Sequence, residues 1–241
     1  MVKKEWKEYG ITAYHGDCLD ILPTLEKVDL VLTDPPYLIK NTNSGKSSRL
    51  CKSIQKMNDE IESADITSGV SNEFIDLVKQ DKTNFYVWCN GKQIPQYLNK
   101  FIGLGCNFDI LIWNKTNAMP LFSNKYLTDK EYCLYFKNGN LCHPVNYEDA
   151  KTVFYQPINV MDKKEYNHPT IKPLNIIRTL VRNSSKEGEF VLDMFGGSGT
   201  TAVACIKENR RCIIIEKDKE YFDIMCQRIE DAIIEKRSQL L

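Results

Sequence analysis

With 241 residues, 42% apolar and 27% charged, the chain is long enough to bury a full core as a soluble globular protein of one domain, or at most two small ones. No stretch approaches the ~20 apolar residues of a membrane span, and Met1-Val2-Lys3-Lys4-Glu5-Trp6 lacks the apolar core of a signal peptide. Nine cysteines with no C-x-x-C pair argue against a disulfide framework or a zinc site and read as small core residues kept reduced in a cytosol, while a formal net charge of zero directs attention to how charge is distributed.

In chain order the pattern predicts a short strand over 11–14 and a helix over 17–25, with Asp17 near its N-cap. The apolar run 28–33 reads as a buried strand. A helix follows over 71–79, a strand over 84–89, a helix over 93–104, and strands over 108–113 and 132–136. From 137 to 167 the sequence is polar and weakly patterned. A helix covers 173–183, with Pro173 early in it. The last third is the clearest: strand 190–193, a tight glycine-rich loop, helix 201–208, strand 211–215 and a long amphipathic helix 220–234. That is a βαβ unit of a parallel sheet, so one α/β domain carrying an irregular insert is expected.

Asp34-Pro35-Pro36-Tyr37 directly follows the strand at 28–33. Two prolines forbid its continuation, because proline lacks the N–H that a sheet ladder needs. The Asp34 carboxylate, the proline carbonyls and the Tyr37 ring are thus presented at a strand's C-terminal end, where open α/β sheets bind ligands. Acceptors beside an aromatic plate suit a flat ring bearing an NH2 group, which points to a nucleobase. The exocyclic amine of adenine or cytosine is a poor nucleophile, since its lone pair is delocalised. Two acceptors, Asp34 and the Pro35 carbonyl, would hold both N–H groups and localise that lone pair toward an electrophile, with Tyr37 stacked on the ring. A duplex base reaches such a pocket only by leaving its stack. A plain Asp-Pro-Pro turn is the bland alternative.

Between 38 and 57 stand Lys40, Lys46, Arg49, Lys52 and Lys56, with no acidic residue. The insert, about 38–70, is also rich in Asn, Ser and Thr, a composition suited to gripping phosphates. A solvated loop is the alternative.

The second site is Phe195-Gly196-Gly197-Ser198-Gly199-Thr200, a loop whose backbone a ligand can approach closely. Glu216 lies 20 residues after Gly196, at the end of the next strand, where an acidic side chain can take the hydroxyls of a ribose. The loop is neither Gly-x-Gly-x-x-Gly nor a P-loop. A nucleoside carrier lacking a polyphosphate fits better, and S-adenosylmethionine is the obvious one.

Together the two motifs resemble the amino-methyltransferases that modify adenine N6 or cytosine N4 in DNA. Their order, catalytic motif first and cofactor loop last, resembles the beta group. His15-Gly16-Asp17, Ile112-Trp113-Asn114-Lys115, His168-Pro169-Thr170-Ile171-Lys172-Pro173 and Glu216-Lys217-Asp218-Lys219-Glu220-Tyr221 extend the likeness over almost the whole chain. The resemblance implies a Rossmann-like, doubly wound, mostly parallel sheet with circularly permuted motif order. It implies that Asp34, Pro35, Pro36 and Tyr37 hold the target base. S-adenosylmethionine would lie against Asp34, the loop residues Phe195, Gly197, Ser198, Gly199 and Thr200, with Glu216 at its ribose and Asp17 at its adenine edge. His168 and Thr170 would flank the methionine moiety, and Asp193 would orient the loop. Met194 stands where the family often has proline. Asp in the first motif position is the form associated with adenine N6, so double-stranded DNA and adenine are expected, with no metal. Cytosine N4 methylation, an RNA amino group, or a DNA-binding subunit without catalysis are the alternatives. A homodimer is a further expectation, because the region 137–167 is short for target recognition and readout would lean on the 38–70 insert or on a second subunit; a companion restriction endonuclease is another.

Overall fold

A computed structural model describes residues 2–37, 72–78, 82–120, 126–138, 142–159, 166 and 171–239. A single nine-stranded sheet runs through it in the order β1-β2-β9-β8-β3-β4-β6-β5-β7. Its strands are β1 (Val2–Trp6), β2 (Ile11–His15), β3 (Leu30–Thr33), β4 (Asn84–Cys89), β5 (Asn107–Lys115), β6 (Lys130–Lys137), β7 (Val153–Gln156), β8 (Phe190–Asp193) and β9 (Arg211–Glu216). From β2 to β4 all neighbours are parallel. At the two ends β1 joins β2, and β6 joins β4 and β5, antiparallel. The expected mostly parallel α/β sheet is present.

Side chains of the central strands alternate between two apolar layers. Leu30, Leu32, Tyr86, Trp88 and Ile214 face helices α4 (Leu174–Ser184), α5 (Thr200–Lys207) and α6 (Lys219–Ser238). Val31, Phe85, Val87 and Ile213 face α1 (Cys18–Ile21), α2 (Glu73–Val78) and α3 (Ile94–Gly103). The sheet is therefore covered on both sides, as the doubly wound reading requires. From β3 the chain runs on toward β4, and from β8 toward β9, so β3 and β8 flank the place where the winding reverses. In such folds that crevice holds the ligand.

Local chemistry explains the departures from expectation. The helix expected over 17–25 is α only at Cys18–Ile21 and becomes 3-10 over Leu22–Thr24, because Pro23 supplies no N–H to extend it. Pro173 caps α4 rather than lying within it. Two strands were not anticipated. β1 is nearly all exposed and polar, so it shows no periodicity; pairing to β2 and the Lys4–Glu230 ion pair of 2.7 Å hold it. β7 lies in the weakly patterned region 137–167, four residues long on the sheet edge, where Trp113 Nε1 donates to the Gln156 carbonyl at 2.8 Å. Among the described residues no helix is long and apolar enough to cross a membrane.

Candidate active site

Because β2, β9, β8 and β3 are adjacent and parallel, their C-terminal ends form one edge. That edge presents four carboxylates in the order Asp17, Glu216, Asp193, Asp34, one from each strand's end or the turn after it. Three inter-strand steps separate the first from the last, about 14 Å.

Asp34 is the most highly charged corner. Its Oδ2 is ion-paired with Lys172 Nζ, the residue just before Pro173. Its Oδ1 is buried and has no hydrogen-bond partner. Lys172, only 7% exposed, also reaches Glu131 Oε2 at 3.2 Å. Glu131, near the start of β6, takes Lys115 Nζ at 2.6 Å on its other oxygen. Register explains that contact: Trp113 is opposite Glu131, and Lys115 stands two residues further along β5 on the same face. Tyr37 Oη donates to Glu131 Oε2 at 3.1 Å. Lys172 Nζ also lies 5.2 Å from the centre of the Tyr37 ring and 5.3 Å from that of Trp88, favourable cation–π distances. The turn is fixed from behind by buried Gln93, whose Nε2 donates to the Pro36 carbonyl at 3.0 Å.

Two carboxylates and two ammonium groups make this cluster neutral overall. Burial works against the Lys172 ammonium, but Asp34 and Glu131 outweigh it and raise its pKa, so it stays charged. Burial would raise Glu131, yet Lys172 and Lys115 hold it down to about 2. Burial pushes Asp34 up; Lys172 opposes that and the Glu131 charge adds to it, leaving a net rise. Asp34 is thus the more easily protonated of the two.

The glycine-rich loop is organised differently, by backbone. Glu216 accepts from Gly197 N–H at 2.7 Å and from Asp218 N–H at 2.8 Å; burial raises its pKa against the pull of those bonds. Gly199 caps α5 at φ +81°, and a Cβ there would stand 2.9 Å from Met225 Cγ. Ser198 and Thr200 turn their hydroxyls to Arg228 Nη1, each at 2.9 Å, so what they offer a ligand is main chain. Phe195 packs edge-on against Phe74, 5.6 Å between ring centres. Asp17 caps α1 through Leu19 N–H at 3.0 Å and pairs with Lys217 at 3.0 Å.

Asp193 joins the two sites. Its Oδ1 accepts from Thr33 Oγ1 and from Phe195 N–H, both at 3.1 Å, and its Oδ2 from Thr201 Oγ1 at 2.6 Å. Burial raises its pKa to about 7 against these bonds. Met194 N–H donates to Thr33 Oγ1 at 3.3 Å, a bond that proline in its place could not make.

The edge thus assembles Asp17, Asp34 to Tyr37, Asp193, the loop 195–200 and Glu216. His168 and Thr170, and the basic Lys40, Lys46, Arg49, Lys52 and Lys56, lie outside the described residues. Residues that sequence reasoning gave no role are Lys172, Glu131, Trp88 and Gln93. Lys172 and Lys115 stood within quoted motifs; nothing local marked Glu131, which becomes meaningful only through strand register.

A doubly wound sheet with this row of carboxylates beside a glycine-rich loop defines a Rossmann-like methyltransferase. The chain matches the family model described as DNA methylase over residues 28–227, and it belongs to that family of S-adenosylmethionine-dependent DNA amino-methyltransferases. It is 29% identical over 253 residues to the Type II methyltransferase M2.DpnII of Streptococcus pneumoniae, covering 95% of this chain and 93% of that one. Its structure resembles the crystal structure of the M1.HpyAVI–SAM complex with a TM-score of 0.66 at 25% identity, covering 91% of this chain and 98% of that chain. The cytosine-N4-specific PvuII DNA methyltransferase shares the fold, also at TM-score 0.66 with 15% identity, over 92% and 91% of the two chains.

Proposed function

We propose that the chain methylates the exocyclic N6 of an adenine flipped out of double-stranded DNA, at a defined sequence. The observation that carries this reading is Asp34: Lys172 secures one carboxylate oxygen, while the other is buried without a partner. An unpaired buried acceptor costs about 1–3 kcal/mol, and an incoming N–H would recover it. The Pro35 carbonyl takes the second N–H and Tyr37 stacks on the ring, its hydroxyl already held by Glu131. The electrophilic methyl comes from the sulfonium of S-adenosylmethionine. This chain's contribution is alignment, because a direct displacement is governed by geometry. Glu216 receives the ribose, Asp17 the adenine edge, and the main chain at 195–200, with His168 and Thr170, the methionine end.

The residues fit such a cofactor: a carboxylate seated against backbone N–H groups lies beside a loop whose glycines hold conformations that side chains would obstruct. The whole chain forms one methyltransferase domain, with the basic insert at about 38–70 gripping DNA phosphates and the region 137–167 contributing to target recognition. The designation of its relative as a Type II methyltransferase supports a restriction–modification setting with a companion endonuclease. A homodimer would supply recognition surface that so short a region lacks.

The shared fold of the cytosine-N4-specific relative means that fold does not choose the base. The choice rests on a carboxylate, a stronger acceptor than a hydroxyl, at the first position of the motif. Methylated DNA digested to nucleosides should yield N6-methyladenine; N4-methylcytosine in its place would overturn the assignment.

A further inference from the structure

We propose that Lys172, anchored by Glu131 and Lys115, is the positioning residue for Asp34, and that its ammonium favours the ionised carboxylate and leaves one oxygen turned to the substrate amine. The inference deepens the amine-holding reading of Asp34 and rests on it.

A lysine that is 7% exposed is placed there against its desolvation penalty, so it must meet compensating charge. Lys172 meets two carboxylates, and they come from separate parts of the chain: Asp34 after β3 and Glu131 on β6. One carboxylate would have sufficed for pairing. The second, itself secured by Lys115 and by the Tyr37 hydroxyl, fixes where the ammonium stands. Lys172 Nζ also lies within cation–π range of both the Tyr37 and the Trp88 rings. The ammonium therefore fills Oδ2 of Asp34 and no other acceptor position on it, which leaves Oδ1 as the single oxygen for the base.

The protonation state matters equally. A protonated Asp34 could present a hydroxyl to the amine where an acceptor is needed. Several titratable groups face Asp34. Lys172 favours its charged form, and the Tyr37 hydroxyl does so to a lesser degree. Glu131 on β6 disfavours it, as a like charge does, and Asp193 at the end of β8 in turn has its own pKa raised in part by the Asp34 charge. Tyr37 in the turn, Cys89 on β4, Tyr97 on α3 and Cys133 on β6 are neutral at working pH, their pKa values raised chiefly by burial. Lys172 is thus the sole cation among the described groups that interact directly with Asp34.

Opposite consequences follow for the two partners. Lys172→Met removes the favourable charge, so Asp34 protonates more readily and the acidic limb of the kcat–pH profile moves to higher pH. Glu131→Gln removes a like charge while Lys172 remains, so that limb moves to lower pH. Lys172→Arg retains the charge and should keep the limb near its wild-type position although kcat drops.

The experiment measures methyl transfer to duplex DNA against pH for full-length wild type and these three variants, with S-adenosylmethionine binding by calorimetry alongside. Expected are a kcat for Lys172→Met lower by ~10²-fold near neutrality, oppositely directed limb shifts for Lys172→Met and Glu131→Gln, and cofactor affinity within about threefold of wild type. Unshifted limbs, or shifts of the same direction in both, overturn the proposal. Should Lys172→Met fail to fold, Glu131→Gln and Lys172→Arg decide it alone: a downward limb shift in the first with an unmoved limb in the second supports it, and any other pattern overturns it. Wild-type transfer to an adenine amine tests the parent reading separately, so the two can fail independently.

Discussion

Two carboxylate sites share one sheet edge and are held by opposite means. At Asp34 the partners are charged side chains from remote parts of the sequence: Lys172 before α4, Glu131 on β6 and Lys115 on β5. At Glu216 the partners are backbone N–H groups of Gly197 and Asp218. The difference suits the tasks proposed for them. A base pocket needs an acceptor of fixed charge and direction, which ion pairing in a poorly solvated corner supplies. A cofactor cradle needs donors spaced along a ligand, which a loop entering a helix supplies from main chain. On the proposed reading, one site serves chemistry and the other binding.

The largest effect that would break this division comes from Asp34→Ala. Methyl transfer should fall by about a thousandfold or more, while calorimetric titration finds S-adenosylmethionine bound nearly as in wild type. Comparable loss of binding would mean that the two sites are one. The converse substitution, Glu216→Ala, removes the partner of two backbone N–H groups. It should weaken S-adenosylmethionine binding by roughly 10- to 100-fold, visible as a raised KM for the cofactor, with kcat at saturation much less affected. A kcat loss as deep as that of Asp34→Ala would abolish the contrast.

Asp193 offers the smallest and most pointed test, because it bridges the sites through Thr33 and Phe195. Its folded pKa of about 7 exceeds its ordinary value of 3.8. The folded state therefore holds this proton more tightly, and the stability it contributes is lost as pH rises from about 4 through about 7. Asn at this position cannot ionise. Asp193→Asn should flatten the decline of the thermal midpoint across that window, with a relative gain at neutral pH. An unchanged midpoint–pH slope would show that Asp193 is not the buried acid responsible.

These differences in construction also explain what was legible. The glycine loop, its following helix and Glu216 sit within one βαβ unit, so spacing along the chain reported their geometry. Asp34-Pro35-Pro36-Tyr37 was legible because prolines end a buried strand wherever they occur. Glu131 was invisible: its meaning depends on the antiparallel register that sets it opposite Trp113 and within reach of Lys115. β1 and β7 were missed for a related reason, since exposed edge strands carry little hydrophobic period and exist through their pairing.

The sequence by itself determined the order of the core elements, the strand-ending acidic motif, the glycine-rich loop and, through them, the family. These are local properties, set by backbone permissiveness and by burial patterns within a few residues. Only the tertiary structure decided the sheet order that lines up Asp17, Glu216, Asp193 and Asp34. It also placed Lys172 and Glu131 behind the Asp34 carboxylate, because the ion pairs of Lys172 with Glu131 and with Asp34, 41 and 138 positions apart, exist only once the strands and the start of α4 have packed.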